Sequence, residues 1–182
     1  MEGQQNDTDR TETTLSLQAQ AESLLFVATE PVPVARLADV LGVEIDQVEQ
    51  VLLILNHEYA GRGMRLQRKG KRVQMVTAPE ASELVRRLLG LELTGKLSPA
   101  ALETLAIVAY RQPVTRAQIE AVRGVSSDSV LRTLINRGLV EEMGRLDQAG
   151  RPIIFGTTFD FLQQFGITSL DQLPPLKEIP AP

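Results

Sequence analysis

One order of landmarks occurs twice in this chain, and this repeat constrains the fold more than any other feature. Phe26-Val27-Ala28 aligns with Ile107-Val108-Ala109, Pro33-Val34 with Pro113-Val114, and Gly42-Val43 with Gly124-Val125, at offsets of 81, 80 and 82 residues. A tandem duplication requires one small unit to be built twice within 182 residues. That length leaves no room for a large enzyme.

The first copy begins with two helical patterns. The first helix ends before Pro31 and Pro33, and its predicted buried face is formed by Leu17, Ala21, Leu24, Leu25 and Ala28. A short second helix runs over residues 34–41 and ends at Gly42. Proline and glycine therefore set the limits of both helices.

A third helix and a hairpin follow. Asp46 is expected to cap the helix, with Glu49 three residues later as in a capping box, and its predicted buried face is Val48, Val51, Leu52 and Leu55. The stretch MRLQRKGKRVQMVT alternates apolar and polar residues, which predicts two strands joined at Lys69-Gly70-Lys71. A final helix is expected over residues 80–89.

The second copy returns to the same order. Ser98 caps a helix with Pro99 in its first turn, and the residues predicted to share its buried face are Leu102, Leu105, Ala106 and Ala109. Thr115 caps a short helix, with Gln118 three residues on, and Gly124 ends it.

A third helix starts at Ser127 or Asp128 and runs to Gly138, with a face of Val130, Leu131, Leu134 and Ile135. Strands at residues 139–143 and 152–155 flank the DQAG turn. Both copies therefore have the order of a winged helix-turn-helix unit.

The predicted fold class is α+β and mostly helical, with two tandem winged helix-turn-helix domains. For either half alone, a plain α+β core of three helices and a hairpin stays open. The expected limits are a flexible tail at 1–14, a domain at 15–90, a linker at 91–97, a second domain at 98–173 and a flexible Pro-rich tail at 174–182.

The composition excludes several kinds of catalytic and metal site. The chain has no Cys and a single His, His57, so thiol nucleophiles, disulfides and zinc sites that need sulfur or several imidazoles are ruled out. No glycine pattern predicts a nucleotide site, and no cofactor, metal or catalytic residue is expected. No apolar stretch has the length of a membrane span, and the polar N-terminus differs from a secretory signal, so we expect a cytoplasmic protein without a membrane partner.

Charge is distributed unevenly. The net charge is −4, yet one segment of the predicted hairpin is strongly basic: Arg62, Arg65, Arg68, Lys69, Lys71 and Arg72. The other 13 basic residues face all 23 acidic ones, which leaves a net charge of −10 on the remainder. These six cations are candidates for non-specific DNA contact. The alternative is that they keep the hairpin soluble or pair with the acidic remainder.

Neither candidate recognition helix suits base readout. Residues 46–58 contain Asp46, Glu49 and Glu58 and no Lys or Arg, so a DNA backbone would repel them. Residues 127–137 contain two arginines, Arg132 and Arg137, and one acid, Asp128, so this helix is only weakly positive and lacks a dense set of DNA contacts. Winged-helix units without such side chains commonly bind proteins.

The second copy carries a specific resemblance. The run ALETLAIVAYRQPVTRAQIEAVRGVSSDSVLRTLINRGLVEEMGR, with GRPIIFGTT, FLQQFGI and SLDQLPPL after it, resembles the segregation and condensation protein B family. The resemblance covers about residues 15–176, and ATEPVPVARLADVLG carries it in the first half.

The resemblance implies a non-enzymatic adaptor in bacterial chromosome condensation and partition. Such a protein forms a homodimer largely through its N-terminal domain. It binds an extended segment of the kleisin subunit, segregation and condensation protein A (ScpA), prominently with its C-terminal domain. It reaches the SMC ATPase through that kleisin and meets DNA only indirectly or weakly, as a nucleoid-associated protein. The alternative function is a winged-helix transcription regulator that uses the basic wing.

The family signature gives candidate kleisin-binding residues: Tyr110, Arg111, Gln112, Pro113, Arg123 and Gly124, with Arg151 in the Gly150-Arg151-Pro152 turn. The resemblance implies that Tyr110 offers a flat amphipathic contact and that the arginines pair with kleisin carboxylates or cap helix C-termini. The alternative is structural, since Pro113, Gly124 and Gly150 suit turns and Arg123 can brace a turn internally.

Overall fold

The computed structural model describes residues 15–90 and 95–175. The predicted tail at 1–14, positions 91–94 of the predicted linker and the end of the Pro-rich tail lie outside these residues. Over the described ranges the order of elements is α1 (Leu17–Val27), β1 (Val32–Pro33), α2 (Val34–Leu41), α3 (Ile45–Glu58), β2 (Met64–Lys69), β3 (Arg72–Thr77), α4 (Ser82–Leu89), α5 (Pro99–Arg111), β4 (Val114–Thr115), α6 (Arg116–Arg123), α7 (Asp128–Asn136), β5 (Val140–Arg145), β6 (Ile153–Thr157) and α8 (Phe159–Phe165). Short 3₁₀ turns occupy Pro79–Ala81 and Leu170–Gln172.

Each half forms its own core and its own sheet. The buried residues between Ala21 and Val73 make one cluster, and those between Ala101 and Leu162 make another. The sheets are antiparallel, with orders β1-β3-β2 and β4-β6-β5. Three helices beside a three-stranded wing sheet, built twice, confirm the predicted pair of winged helix-turn-helix units.

Helix limits follow local chemistry. Gly42 and Gly124 adopt left-handed conformations that end α2 and α6. Thr115 and Gln118 form the expected capping box, and Ser98 caps α5. The predicted cap of α3 is wrong by two residues, because Glu44 and Gln47 form the capping box and Ile45 begins the helix.

Two further expectations need correction. On α5, Leu102 and Ala106 are exposed, whereas Ala101, Thr104 and Val108 join Leu105 and Ala109 in the core. The helix expected over 80–89 begins at Ser82, and it contributes no buried residue to the core of the first unit. The sequence also gave no signal for β1 and β4, which extend each hairpin to three strands.

The two units are joined by direct contacts. The backbone N–H of Arg68 donates to the carbonyl of Thr168 at 2.8 Å, and the buried Gln67 Nε2 donates to the carbonyl of Ile167 at 2.9 Å. Gly166 lies so close to Pro79 that a Cβ there would come within 3.2 Å of the proline Cβ. The strand β2 therefore holds the segment that follows α8.

Candidate functional site: a groove between the two units

A groove of about 710 Å³ opens where the first hairpin meets the second unit. The first unit contributes Glu30, Pro31 and the hairpin turn at residues 69–72. The second unit contributes the end of α5, the start of β5, the start of α8 and the last 3₁₀ turn, through Gln112, Pro113, Glu141, Glu142, Met143, Thr158, Phe159, Asp160 and Leu170. The groove thus unites members of both residue sets that the sequence singled out.

The two units contribute different charges to the groove. The first unit supplies three cations, Lys69, Lys71 and Arg72, and one carboxylate, Glu30, whereas the charged residues of the second unit are all acidic: Glu141, Glu142 and Asp160. Lys69 Nζ forms an ion pair with Glu141, and the Lys69 side chain is only 13% exposed. This pair therefore joins the two units at the groove.

Most of the basic segment is engaged inside the protein. Arg65 donates to the carbonyls of Tyr59, Arg62 and Met64 and pairs with Glu80. Arg72 Nε donates to the carbonyl of Pro31 at 3.2 Å. Within residues 15–90 and 95–175, no hydrogen bond or ion pair of the Arg62 or Lys71 side chain is found.

Arg68 pairs with one acidic residue of α3, Glu49. Its guanidinium donates to both carboxylate oxygens of Glu49, one of them at 2.7 Å. Because these hydrogen bonds favour the ionised carboxylate, the pKa of Glu49 lies below its ordinary value, and the pKa of Arg68 is raised by the same contact. One basic residue of the wing is thus matched to one of the acids that exclude DNA readout.

Gln112 uses its amide within the second unit. Its Nε2 donates to Thr157 Oγ1 at 3.0 Å, and its Oε1 accepts from the backbone N–H of Thr157 at 2.9 Å. A Cβ on Gly156 would lie 2.8 Å from Gln112 Oε1 and would overlap the sulfur of Met143. The absence of a side chain at Gly156 therefore leaves room for the side chains of Gln112 and Met143, both of which line the groove.

The neighbouring signature residues are exposed. Pro113 follows a cis peptide bond and lines the groove, and Arg111 is exposed at the end of α5. The Tyr110 hydroxyl donates to the carbonyl of Pro174 at 2.6 Å, so this ring fastens a residue that had been assigned to the flexible tail.

Arg123, Gly124 and Arg151 do not line the groove. Arg123 pairs with Glu103 and donates to Ser126 and Ser127, and its side chain is only 6% exposed. Arg151, at the exposed tip of the second hairpin, has a positive φ of 38°. The structure therefore gives Arg123 the bracing contacts that were its alternative role.

Several groove residues carried no sequence signal. Glu141, Met143, Phe159 and Leu170 reach the groove through contacts between segments about 70–100 residues apart, such as Lys69 with Glu141 and Gln67 with Ile167. No local pattern encodes such a meeting. The uneven charge of the sequence did suggest that the basic hairpin pairs with the acidic remainder, but it did not identify Glu141 as the partner.

Other chemistry has little support among the described residues. No group of three or more His, Asp or Glu side chains there could hold a metal ion. His57 is exposed near the end of α3. None of the described helices combines the length and apolar character needed to cross a bilayer.

Comparison with known proteins identifies relatives over most of the chain. The family model of the segregation and condensation complex subunit ScpB matches residues 19–176. Segregation and condensation protein B of Moorella thermoacetica is 49% identical over 168 residues, which cover 91% of this chain and 86% of that protein. The corresponding protein of Desulforamulus reducens is 45% identical over 159 residues, covering 86% and 87%. The crystal structure of ScpB from Mycobacterium tuberculosis is 40% identical and covers 86% of this chain and 100% of that one, with a TM-score of 0.41.

Proposed function

The chain belongs to the ScpB family of segregation and condensation complex subunits, and on that premise we propose that it is a dimerising adaptor that holds a segment of the kleisin ScpA in the groove between its two units. As a family member it is a non-enzymatic accessory subunit that serves chromosome segregation and condensation. The proposal concerns how it does so.

The observation that carries the proposal is the make-up of the groove. Residues of both units line it, so a segment bound there contacts both at once. Its lining of cations, carboxylates and apolar side chains suits an extended peptide that bears charges of both signs around apolar side chains. Pro113 and Gln112, two of the signature residues, lie at its edge.

Binding at this place acts by linkage. A kleisin segment that contacts both units favours the arrangement in which they meet, and the protein in turn favours the ordered form of that segment. The adaptor would thereby shift the population of SMC–kleisin assemblies, while ATP hydrolysis belongs to SMC.

We further propose that DNA is reached through the assembled complex. Arg65, Arg68, Lys69 and Arg72 are engaged within the protein, so the hairpin presents far less unpaired positive charge than its sequence suggests. Non-specific DNA affinity depends on the number of cations that can neutralise phosphates. A transcription regulator that uses this wing would have to break these contacts first.

Titration calorimetry with purified full-length ScpA tests the groove. We expect Met143→Glu and Lys71→Glu to weaken binding by about tenfold or more, which corresponds to about 1.4 kcal/mol. Val122→Glu and Lys96→Glu place the same changes on exposed residues outside the groove and serve as matched controls. Equal affinity for the groove variants and the controls would exclude the groove as the kleisin site.

A further inference from the structure

The exposed side of α5 carries an apolar stripe. Leu102, Ala106 and Tyr110 follow one another at intervals of four residues, which places them on one side of the helix. Leu102 is 48% exposed and Tyr110 is 36% exposed, and Ala106 is exposed as well. The opposite side of α5 lies in the core of the second unit, whereas none of the described residues buries this stripe.

The described part of the chain ends at one end of this stripe. Leu173 packs against the core of the second unit, and the carbonyl of Pro174 accepts a hydrogen bond from the Tyr110 hydroxyl at 2.6 Å. The residues that follow Pro175 therefore begin close to Tyr110. They are residues 176–182, LKEIPAP, which we name the C-terminal segment.

The path of the chain leads along α5. Leu170 lines the groove together with Pro113, which lies just after α5, and Pro174 lies at Tyr110, within the last turn of that helix. Between Leu170 and Pro174 the chain therefore runs from the end of α5 toward its beginning. If it continues in this direction, it passes over the rest of the stripe.

The stripe and the C-terminal segment have similar lengths. Because an α-helix rises about 1.5 Å per residue, Ala106 lies about 6 Å and Leu102 about 12 Å along the axis from Tyr110. Prolines at positions 174, 175, 180 and 182 favour an extended chain, which advances about 3.1 Å per residue with three residues per turn. Leu176 therefore comes about 6 Å and Ile179 about 15 Å after the residue bound at Tyr110, and the two share a face.

The charges fit the same direction. Glu103 stands beside Leu102 on α5, about 10 Å along the axis from Tyr110, and its side chain is 53% exposed although it pairs with Arg123. Lys177 comes about 9 Å along the extended segment. The segment therefore brings a cation to the only acidic position on this side of the stripe's first turn.

The opposite end of the chain fits less well. Residues 1–14, MEGQQNDTDRTETT, contain no apolar side chain apart from Met1. They therefore cannot cover the three apolar positions of the stripe.

We propose that the C-terminal segment folds back along α5 and covers the apolar stripe, with Leu176 on Ala106 and Ile179 on Leu102. The segment thereby closes the surface beside the groove and confines a kleisin segment to the groove itself. The inference goes beyond the proposed function, because Leu102, Ala106 and Tyr110 do not line the groove.

Urea denaturation of the full chain tests the contact through a double-mutant cycle. We expect Leu102→Glu and the combined change Leu176→Ser with Ile179→Ser each to raise the unfolding equilibrium constant about fivefold, because each exposes apolar surface. Together they should raise it little more than either does alone, since both remove the same contact. Leu146→Glu changes an exposed leucine of the second hairpin, and its effect should not depend on the C-terminal changes.

A disulfide tests the position of the segment, because the chain has no other cysteine. Ala106→Cys together with Leu176→Cys should form an intramolecular disulfide, since residues in contact meet the Cα separation of about 4.4–6.8 Å that this bond requires. Ala117→Cys with Leu176→Cys is the matched control. Ala117 is an exposed alanine of α6 that lines a separate cavity with Arg145, so this pair should oxidise at least about tenfold more slowly.

Three results would overturn the inference. Additive effects of Leu102→Glu and the C-terminal changes would mean that the segment does not cover the stripe. Equal oxidation rates of the two cysteine pairs would mean that it has no fixed place on α5. Weaker binding of full-length ScpA by Leu102→Glu would assign the stripe to the kleisin, whereas we expect unchanged affinity. The groove is tested separately by Met143→Glu and Lys71→Glu, so either proposal can fail without the other.

Discussion

The first hairpin is held by side-chain contacts, whereas in the second hairpin the strand β5 is exposed from Glu141 to Arg145. In the first hairpin Gln67 and Lys69 contact the second unit, and Arg68 contacts Glu49 of α3. In the second hairpin a bulge between Glu142 and Gly144 interrupts the ladder, and Met143 faces the groove.

The difference shows how a duplicated fold separates structure from function. Both units have the same strand order, so the same backbone plan is built twice. The side chains on the equivalent strands differ, and the more basic hairpin connects the two units. Positive charge on a wing is therefore evidence for DNA binding only if no acid lies opposite it.

The largest expected effect concerns the anchoring of the second hairpin. Gly156→Ala should lower the free energy of unfolding by about 1–3 kcal/mol, because the new Cβ comes within 2.8 Å of Gln112 Oε1, which its hydrogen bonds to Thr157 hold in place, whereas the exposed Met143 can turn away. Urea denaturation measures the change. Gly63→Ala, before the first hairpin, meets no atom within 4 Å and should stay within about 0.5 kcal/mol of the wild type. Similar losses in both variants would show that the second hairpin has no special packing there.

Next comes the buried amide that ties the first hairpin to the second unit. Gln67→Ala should lower the free energy of unfolding by about 1–2 kcal/mol, since it removes the donor to the Ile167 carbonyl and the acceptor for Gln74. Gln50→Ala, on the exposed side of α3, is the control. Small-angle scattering should also show a larger radius of gyration for the Gln67 variant. An unchanged stability and radius would mean that this contact does not hold the units together.

The ion pair across the groove should contribute less. Lys69→Glu and Glu141→Lys should each destabilise by up to about 1 kcal/mol, and the double exchange should recover much of the loss, because both charges are partly exposed. The coupling energy of this double-mutant cycle is the measured quantity. Lys71→Glu, beside it in the hairpin turn, is the control. If the effect of the double exchange equals the sum of the two single effects, Lys69 and Glu141 do not interact.

The smallest effect is the pH dependence of the Glu49–Arg68 contact. The pKa of Glu49 is lower in the folded chain than its ordinary value of 4.5, so the contact stabilises the fold above that pH and loses its contribution as pH falls through the lowered pKa. Glu49→Gln should therefore be less stable than the wild type by a few tenths of a kcal/mol at pH 7. In urea titrations the difference should shrink as pH falls below 4.5 and disappear once Glu49 is protonated in the folded chain. A constant difference at all pH values would contradict this assignment.

Local chemistry made the helices and hairpins predictable. Gly42 and Gly124 end helices, Thr115 with Gln118 starts one, and the alternation around Gly70 gives a hairpin, all from residues a few positions apart. The cap of α3 was misplaced because Glu44 and Gln47 compete with Asp46 and Glu49 for the same role. The face of α5 was misplaced because Leu102 turns outward while the small Thr104 and Ala101 fill the core.

The groove was less predictable because it depends on contacts between distant segments. The signature residues Gln112 and Pro113 were found through their family resemblance, and the structure lines the groove with both. Glu141, Met143 and Phe159 were not predicted as groove residues, because no local sequence pattern indicates that they lie near residues 69–72 in the fold. The roles of the predicted domains and the kleisin contacts of single residues stay predictions.

Site-specific crosslinking tests the central claim most directly. The chain has no cysteine, so one introduced thiol carries a photoreactive group at a unique position. Met143→Cys places it in the groove, and Val125→Cys places it beside Gly124, on a residue of similar exposure at 48% against 56%. Our account predicts a crosslink to ScpA from position 143 and little from position 125. A crosslink from 125 and none from 143 would move the kleisin to the turn between α6 and α7 and contradict the groove.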